Sequence, residues 1–122
     1  MSQYGFSLDF GRRGATVTIF RLDKAGVNEY WWYAMLNSRG IMCHRTDSSA
    51  NEVTLCDFES FTFPDRIEEG ELDLVTMLYG SELPEDRNVL RLCSMLVAKW
   101  AAGHDEESFH EAISASIKKW SE

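Results

Sequence analysis

The chain has 122 residues, of which 44% are hydrophobic and 26% are charged, and its formal net charge is −8. These values are typical of one folded domain over 1–122, and they exclude an intrinsically disordered chain and a fibrous one. The apolar runs, such as 30–36, are far shorter than the roughly 20 residues that a membrane-spanning helix needs. The first ten residues do not resemble a secretory signal, so we expect a cytoplasmic protein that does not enter the membrane.

The first half of the chain has the two-residue period of β-strands. Apolar and polar residues alternate over 4–10 and over 15–19, and the turn sequence 11–14 separates the two runs. Three further strands are predicted at 27–36, 41–45 and 52–58. Connections this short cannot make a parallel crossover, so we expect an antiparallel meander of about five strands.

The second half has a helical period. Asp65 and Glu68 have the spacing of a capping box, which predicts a helix that ends before Gly80. Pro84 suits the first position of a second helix, and Asp105 can cap a third. The apolar residues of the last two helices recur every three or four positions: Val89, Leu92, Cys93, Leu96 and Trp100, then Phe109, Ala112, Ile113, Ile117 and Trp120. Strands followed by helices indicate an α+β fold with three helices packed on one face of the sheet.

The excess negative charge lies in one segment. Residues 59–86 contain nine acidic side chains and one basic side chain, Arg66, which accounts for the whole net charge of −8. Carboxylates in a first helical turn stabilise the helix by about 0.3–1 kcal/mol each, so one interpretation is a solvated helix face. The other is a surface that attracts a positively charged partner. The acidic candidates for that contact are Glu68, Glu69, Asp73, Glu82, Glu85 and Asp86.

The acidic balance also bears on nucleic acids. Binding to phosphates needs clustered Lys or Arg side chains, and Arg12 and Arg13 on one turn are too few. We therefore expect no direct nucleic-acid partner.

Four aromatic residues follow one another at 30–33. On a strand, neighbouring side chains point to opposite faces, so Trp31 and Tyr33 face away from Tyr30 and Trp32. If the strand is central, both pairs are core residues. Alternatively one face stays open to a partner, because Trp and Tyr are frequent anchors of protein interfaces. Trp31 and Tyr33 therefore join the acidic residues as candidate partner-binding residues.

No pattern indicates catalysis. The sequence contains no GxSxG, HExxH, GxxxxGK[ST] or GxGxxG motif. Cys43, Cys56 and Cys93 are widely spaced and form no CxxC pair, which predicts free thiols that serve as packing groups. Cys43 and His44 would point to opposite faces of a strand, so they cannot act as a nucleophile and its base without a bulge. No residue is assigned to catalysis, to a cofactor or to a metal.

These features favour a small acidic inhibitor over an enzyme. We expect an immunity, antitoxin or phage-type protein that neutralises a basic, nuclease-like partner by covering its active or nucleic-acid-binding site. The alternative is a secretion chaperone or adaptor that holds an extended peptide at a sheet edge or in a groove. A small enzyme with an unrecognised site is the third hypothesis. Whether the protein is a monomer or a homodimer stays open.

Overall fold

The computed structural model describes residues 3–59 and 72–121. Within them, five strands precede one 3₁₀ helix and two α-helices. The elements are β1 (Gln3–Phe10), β2 (Gly14–Leu22), β3 (Asn28–Asn37), β4 (Gly40–Asp47), β5 (Glu52–Phe58), the 3₁₀ helix (Leu74–Met77), α1 (Pro84–Ala101) and α2 (Glu106–Trp120).

The strands form one antiparallel sheet in the order β1-β2-β3-β4-β5, so the predicted meander is confirmed. Short polar turns set the register of its hairpins. Asp23 Oδ1 accepts hydrogen bonds from the N–H groups of Ala25 and Val27 in the second turn. In the third turn, a side chain at Gly40 would overlap the carbonyl oxygen of Phe58, which explains why only glycine fits there.

One face of the sheet is covered by α1 and α2, and the core lies between them. Alternate residues of each strand point to this face, including Val17, Ile19, Trp32, Leu36 and Cys43, all 1% exposed or less. Aromatic rings of β1 contact α2: the ring centroids of Tyr4 and Trp120 are 5.6 Å apart, and those of Phe10 and Phe109 are 5.0 Å apart.

Strand β5 departs from the expected alternation. The sequence predicts that Leu55 and Cys56 face opposite sides, yet both are fully buried. The cause is a register shift, because Cys43 pairs with Cys56 while the next residue of β4, His44, pairs with Thr54. Leu55 is thus an extra residue on β5, as in a β-bulge, and this lets two consecutive side chains reach the core.

The two predicted helices at the end of the chain are confirmed. Pro84 is the first residue of α1. Asp105 caps α2 and accepts a hydrogen bond from the N–H of Ser108 at 3.0 Å. Their apolar stripes are buried at Val89, Leu92, Cys93 and Leu96 and at Phe109, Ile113 and Ile117, whereas Trp100, Ala112 and Trp120 are half-buried.

The first predicted helix is wrong where the structure describes it, and its start, with Asp65 and Glu68, lies outside the described residues. Over 72–79 only the four-residue 3₁₀ helix is present, so the described chain has two α-helices instead of three. The N–H of Leu74 bonds to Ser94 Oγ at 3.1 Å, and that of Val75 bonds to Asp73 Oδ1 at 3.0 Å. Because side chains take these donors, they cannot bond to carbonyls four residues earlier, as an α-helix requires.

Neither α-helix in the described residues is long and apolar enough to cross a membrane.

Helix α2 contributes core residues that no other element can replace, which predicts a strong effect of Phe109→Ala. Phe109 is fully buried and contacts the rings of Phe10 and Trp100. Its truncation should lower the free energy of unfolding by about 3–5 kcal/mol. Urea unfolding followed by circular dichroism measures this, with Lys118→Ala on the exposed side of α2 as the control. Similar losses in both variants would contradict a core role for α2.

Candidate protein-binding surface

The second face of the sheet lies opposite both helices, and we call it the open face. The strand register places on it a set of aromatic, methionine and threonine side chains with one histidine. Its central members are Thr16, Thr18, Phe20, Trp31, Tyr33, Met35, Met42, His44, Thr46 and Thr54. All of these are half-buried except Tyr33, which is 38% exposed although it belongs to the middle strand.

The aromatic residues adjoin one another across strands. Phe20 pairs with Trp31, and Thr18 pairs with Tyr33. On the other side of β3, Tyr33 pairs with His44 and Met35 pairs with Met42. The Cβ atoms of residues directly opposite each other on neighbouring strands are about 4.5–5.5 Å apart, so these residues form one continuous patch.

Carboxylates lie beside this patch on the two outer strands. Asp9 on β1 and Asp57 and Glu52 on β5 face the same side and are exposed. Glu52 approaches the ring of His44 at 3.2 Å. Among the described strands, no position that faces this side is Lys or Arg. The open face therefore has an apolar centre and an acidic rim.

A cleft lies at the edge of the open face, where β3 and β5 end and β4 begins. Met35 and Met42 supply its apolar wall, and Asp57 and Glu59 supply carboxylates. Arg39, from the turn between β3 and β4, also lines it.

Trp31 and Tyr33 are the sequence candidates that the structure places on the open face. Their companions were missed: Met35 lies on the same strand, and Asp9, Phe20, Met42 and Asp57 come from the four other strands. The alternation of side chains between the two faces of a strand identifies them. Once the turns fix the hairpin register, every second residue shares a face with Trp31 and Tyr33.

The acidic candidates do not form a second patch within the described residues. Glu82 pairs with Arg87 at 2.7 Å, and Glu85 pairs with Arg21 at 2.7 Å. Asp73 is exposed and caps the 3₁₀ helix. Glu68 and Glu69 lie outside the described residues.

Asp86 is the clearest correction to the acidic candidates. Its side chain is fully buried and pairs with Arg45 at 2.9 Å, so it cannot touch a partner. The sequence count missed these pairings because Arg21 and Arg45 lie on strands, 64 and 41 residues away from Glu85 and Asp86. The net charge counted along this segment of the sequence therefore overstated the number of its carboxylates that are exposed and unpaired.

The buried pair is fully hydrogen-bonded. Asp86 Oδ1 accepts from Arg45 Nε and from Trp32 Nε1, each at 2.9 Å. Asp86 Oδ2 accepts from the N–H of Leu83 at 3.0 Å, just before α1 begins. The guanidinium of Arg45 also lies 5.4 Å from the ring centroid of Tyr30, within cation–π range.

This network predicts that removing one of the two charges lowers the free energy of unfolding. Arg45→Met leaves a buried carboxylate without its cation and should lower the free energy of unfolding by about 3–5 kcal/mol. Arg87→Met breaks the exposed pair with Glu82 and should cost less than about 1 kcal/mol. Denaturant unfolding of both variants tests this. Equal losses would show that the buried pair is no stronger a constraint than the surface pair.

The three cysteines converge from β4, β5 and α1, and all are buried as free thiols. The pKa of Cys43 is raised well above its usual value, chiefly by its hydrogen bond with Cys93 and then by burial. Burial raises the pKa of Cys56 to about 12. Within the described residues, no group of three or more Cys, His, Asp or Glu side chains could hold a metal ion. Because their pKa values are raised, the thiols of Cys43 and Cys56 are kept neutral, which disfavours their use as nucleophiles.

Neutral buried thiols predict slow labelling and loss of stability at alkaline pH. At pH 8, a thiol reagent should label none of the three cysteines in the folded protein and all three in denaturant.

An unfolded thiol has a pKa of about 8.5, which is below the raised pKa of the folded thiol. The stabilisation that comes from keeping the thiol protonated is therefore fully present below about pH 8.5. It should be lost as the pH rises toward about 12. Cys56→Ala should weaken this alkaline loss in urea unfolding, and rapid native labelling would contradict the assignment.

Comparisons with protein-family models, with curated proteins and with solved structures gave no match.

Proposed function

We propose that the protein is a protein-binding inhibitor that uses the open face to bind a basic partner. The partner class is a nuclease-like toxin or another nucleic-acid-binding enzyme, and binding covers its active or nucleic-acid-binding site. An immunity, antitoxin or phage-type role follows from this partner class. The observation that carries the proposal is the aromatic and methionine centre of the open face, enclosed by Asp9, Glu52 and Asp57.

The composition of the open face supports protein recognition. Interface cores are enriched in Tyr, Trp, Phe and Met, and all four types are present here in one patch. Tyr33 lies at the centre, where anchors contribute most of the binding energy. Threonines around these residues can form hydrogen bonds with a partner.

The size of the open face also suits an interface. Five strands at the usual spacing, each about eight residues long, make a surface of roughly 20 Å by 25 Å. Together with the side chains that project from it, this approaches the surface of about 800 Å² per partner that a stable complex buries.

Charge selects the class of partner. Asp9, Glu52 and Asp57 outnumber the one nearby cation of the described residues, Arg39, which lines the cleft beside Asp57, so a basic surface would be attracted and an acidic one repelled. The surface of a nuclease that contacts phosphates is basic. Occupation of that surface by the open face would block substrate directly.

The secretion chaperone or adaptor stays the second hypothesis, because β1 and β5 are the outer strands of the described sheet. Within the described residues, β1 pairs only with β2, and β5 pairs only with β4. An extended peptide could add to either edge through backbone hydrogen bonds. Such a partner would bind as an unfolded segment, whereas the proposed partner binds as a folded basic protein.

The test begins with capture of partners from an extract of the source cells, followed by binding kinetics on the purified partner. Tyr33→Ala should speed dissociation about tenfold or more, because a central aromatic anchor contributes at least about 1.4 kcal/mol. Asp9→Lys with Asp57→Lys should slow association, and the effect should fade at high salt as screening increases. The partner's activity on nucleic acid should fall when the wild-type protein is added.

Two matched controls lie away from the open face. Tyr79 is 51% exposed outside the sheet, and Glu106 is an exposed acid at the start of α2. Tyr79→Ala and Glu106→Lys should leave both rates unchanged. The proposal is wrong if these controls weaken binding as much as the open-face variants, or if the captured partner is acidic.

A further inference from the structure

Three arginines lie together at one end of the sheet. The turn between β1 and β2 supplies Arg12 and Arg13, and the turn between β3 and β4 supplies Arg39. They line a cleft of about 520 Å³, here called the arginine cleft, together with Asn37, Ser38 and Trp100. The sequence shows only the adjacent pair, because Arg39 is 26 residues away from Arg13 along the chain.

No acidic side chain of the described residues lines the arginine cleft. Arg12, Arg13 and Arg39 are exposed, and none forms an ion pair with any residue in 3–59 or 72–121. By contrast, Arg21, Arg45 and Arg87 each pair with a carboxylate. Arg39 also lines the neighbouring cleft with Asp57 and Glu59, but within the described structure it forms no ion pair with them. No acidic residue in the described part of the chain lines the arginine cleft itself, so its three arginines form a positive site that is open to an external anion.

Backbone hydrogen bonds hold both turns in place. Gly14 pairs with Asn37 across β2 and β3, which brings the two turns side by side. The N–H of Gly11 donates to the carbonyl of Gly14 at 2.9 Å, and the N–H of Arg39 donates to Asn37 Oδ1 at 2.8 Å. The arginine backbones are thus positioned before a ligand arrives, which lowers the entropic cost of binding.

Trp100 provides a flat wall beside the arginines. Its ring packs against Phe10 with a centroid distance of 5.6 Å and against Phe109 at 6.3 Å, so its orientation is fixed by the core. Trp100 is half-buried and forms part of the lining of the cleft. An indole can contact the organic part of a ligand whose anionic group lies on the arginines.

We propose that the arginine cleft binds the phosphate group of a small phosphorylated molecule. The planar guanidinium group forms paired hydrogen bonds with phosphate oxygens, and its charge does not depend on pH in the ordinary range. The cleft volume falls within the range of roughly 300–1,000 Å³ that small-molecule sites have. A long nucleic acid would extend past three arginines onto an acidic protein, so repulsion favours a small ligand.

Isothermal titration calorimetry on the full chain tests the proposal with inorganic phosphate, adenosine monophosphate and a single-stranded oligonucleotide. Sodium chloride at matched ionic strength is the control for screening. We expect saturable binding of inorganic phosphate or of the monophosphate. Tighter binding of the monophosphate would identify an organic phosphate as the ligand, and equal affinities would identify the phosphate group alone.

Variants locate the site. Arg13→Gln with Arg39→Gln should weaken phosphate binding about tenfold or more, since each charge-assisted pair is lost. Arg12→Gln gives a second, independent variant, and circular dichroism verifies that each variant is folded. Arg91→Gln is the matched control, because Arg91 is exposed on α1 and does not line the cleft. No saturable binding, an equal loss in Arg91→Gln, or tighter binding of the oligonucleotide than of either phosphate would overturn the proposal.

Discussion

The ion pair between Arg45 and Asp86 is the interaction on which the arrangement of sheet and helices depends. A buried carboxylate is tolerated only when it is paired and hydrogen-bonded, and Asp86 meets this condition through groups from β3, β4 and the residue before α1. A single side chain thus fixes where α1 begins relative to two strands. Because the first turn of α1 cannot move without exposing or unpairing these charges, α1 stays on one face of the sheet.

This constraint explains the contrast between the two faces. The helices cover the face that carries Trp32, Leu36 and Cys43, and these three side chains are fully buried. Neither α1 nor α2 lies on the opposite face, where Tyr33 keeps a substantial exposed surface. Tyr30 and Trp32 therefore lie on the face of β3 that packs against the core, and Trp31 and Tyr33 lie on the face that neither α1 nor α2 covers.

The fold also determines which charged side chains are paired and which are exposed. Arginines that face the helices take up carboxylates from the start of α1, as Arg21 and Arg45 do with Glu85 and Asp86. This pairing removes part of the acidity that the sequence concentrates in one segment. Of the charges that remain exposed, Asp9, Glu52 and Asp57 lie on the outer strands at the open face, and three arginines occupy the turns at one end of the sheet, where Arg39 lies between the two sets. A protein of this size can therefore present two surfaces of opposite charge.

The sequence by itself determined the strands, their turns and the last two helices, because two-residue and helical periods, Gly40, Pro84 and Asp105 act locally. It also separated Trp31 and Tyr33 from Tyr30 and Trp32. Tertiary structure alone decided that Leu74 bonds to Ser94 instead of extending a helix, that Leu55 forms a bulge, and that Asp86 is internal. Each of these depends on a partner distant in the chain or on competition for one backbone N–H. Neither can be read from composition or from residue spacing.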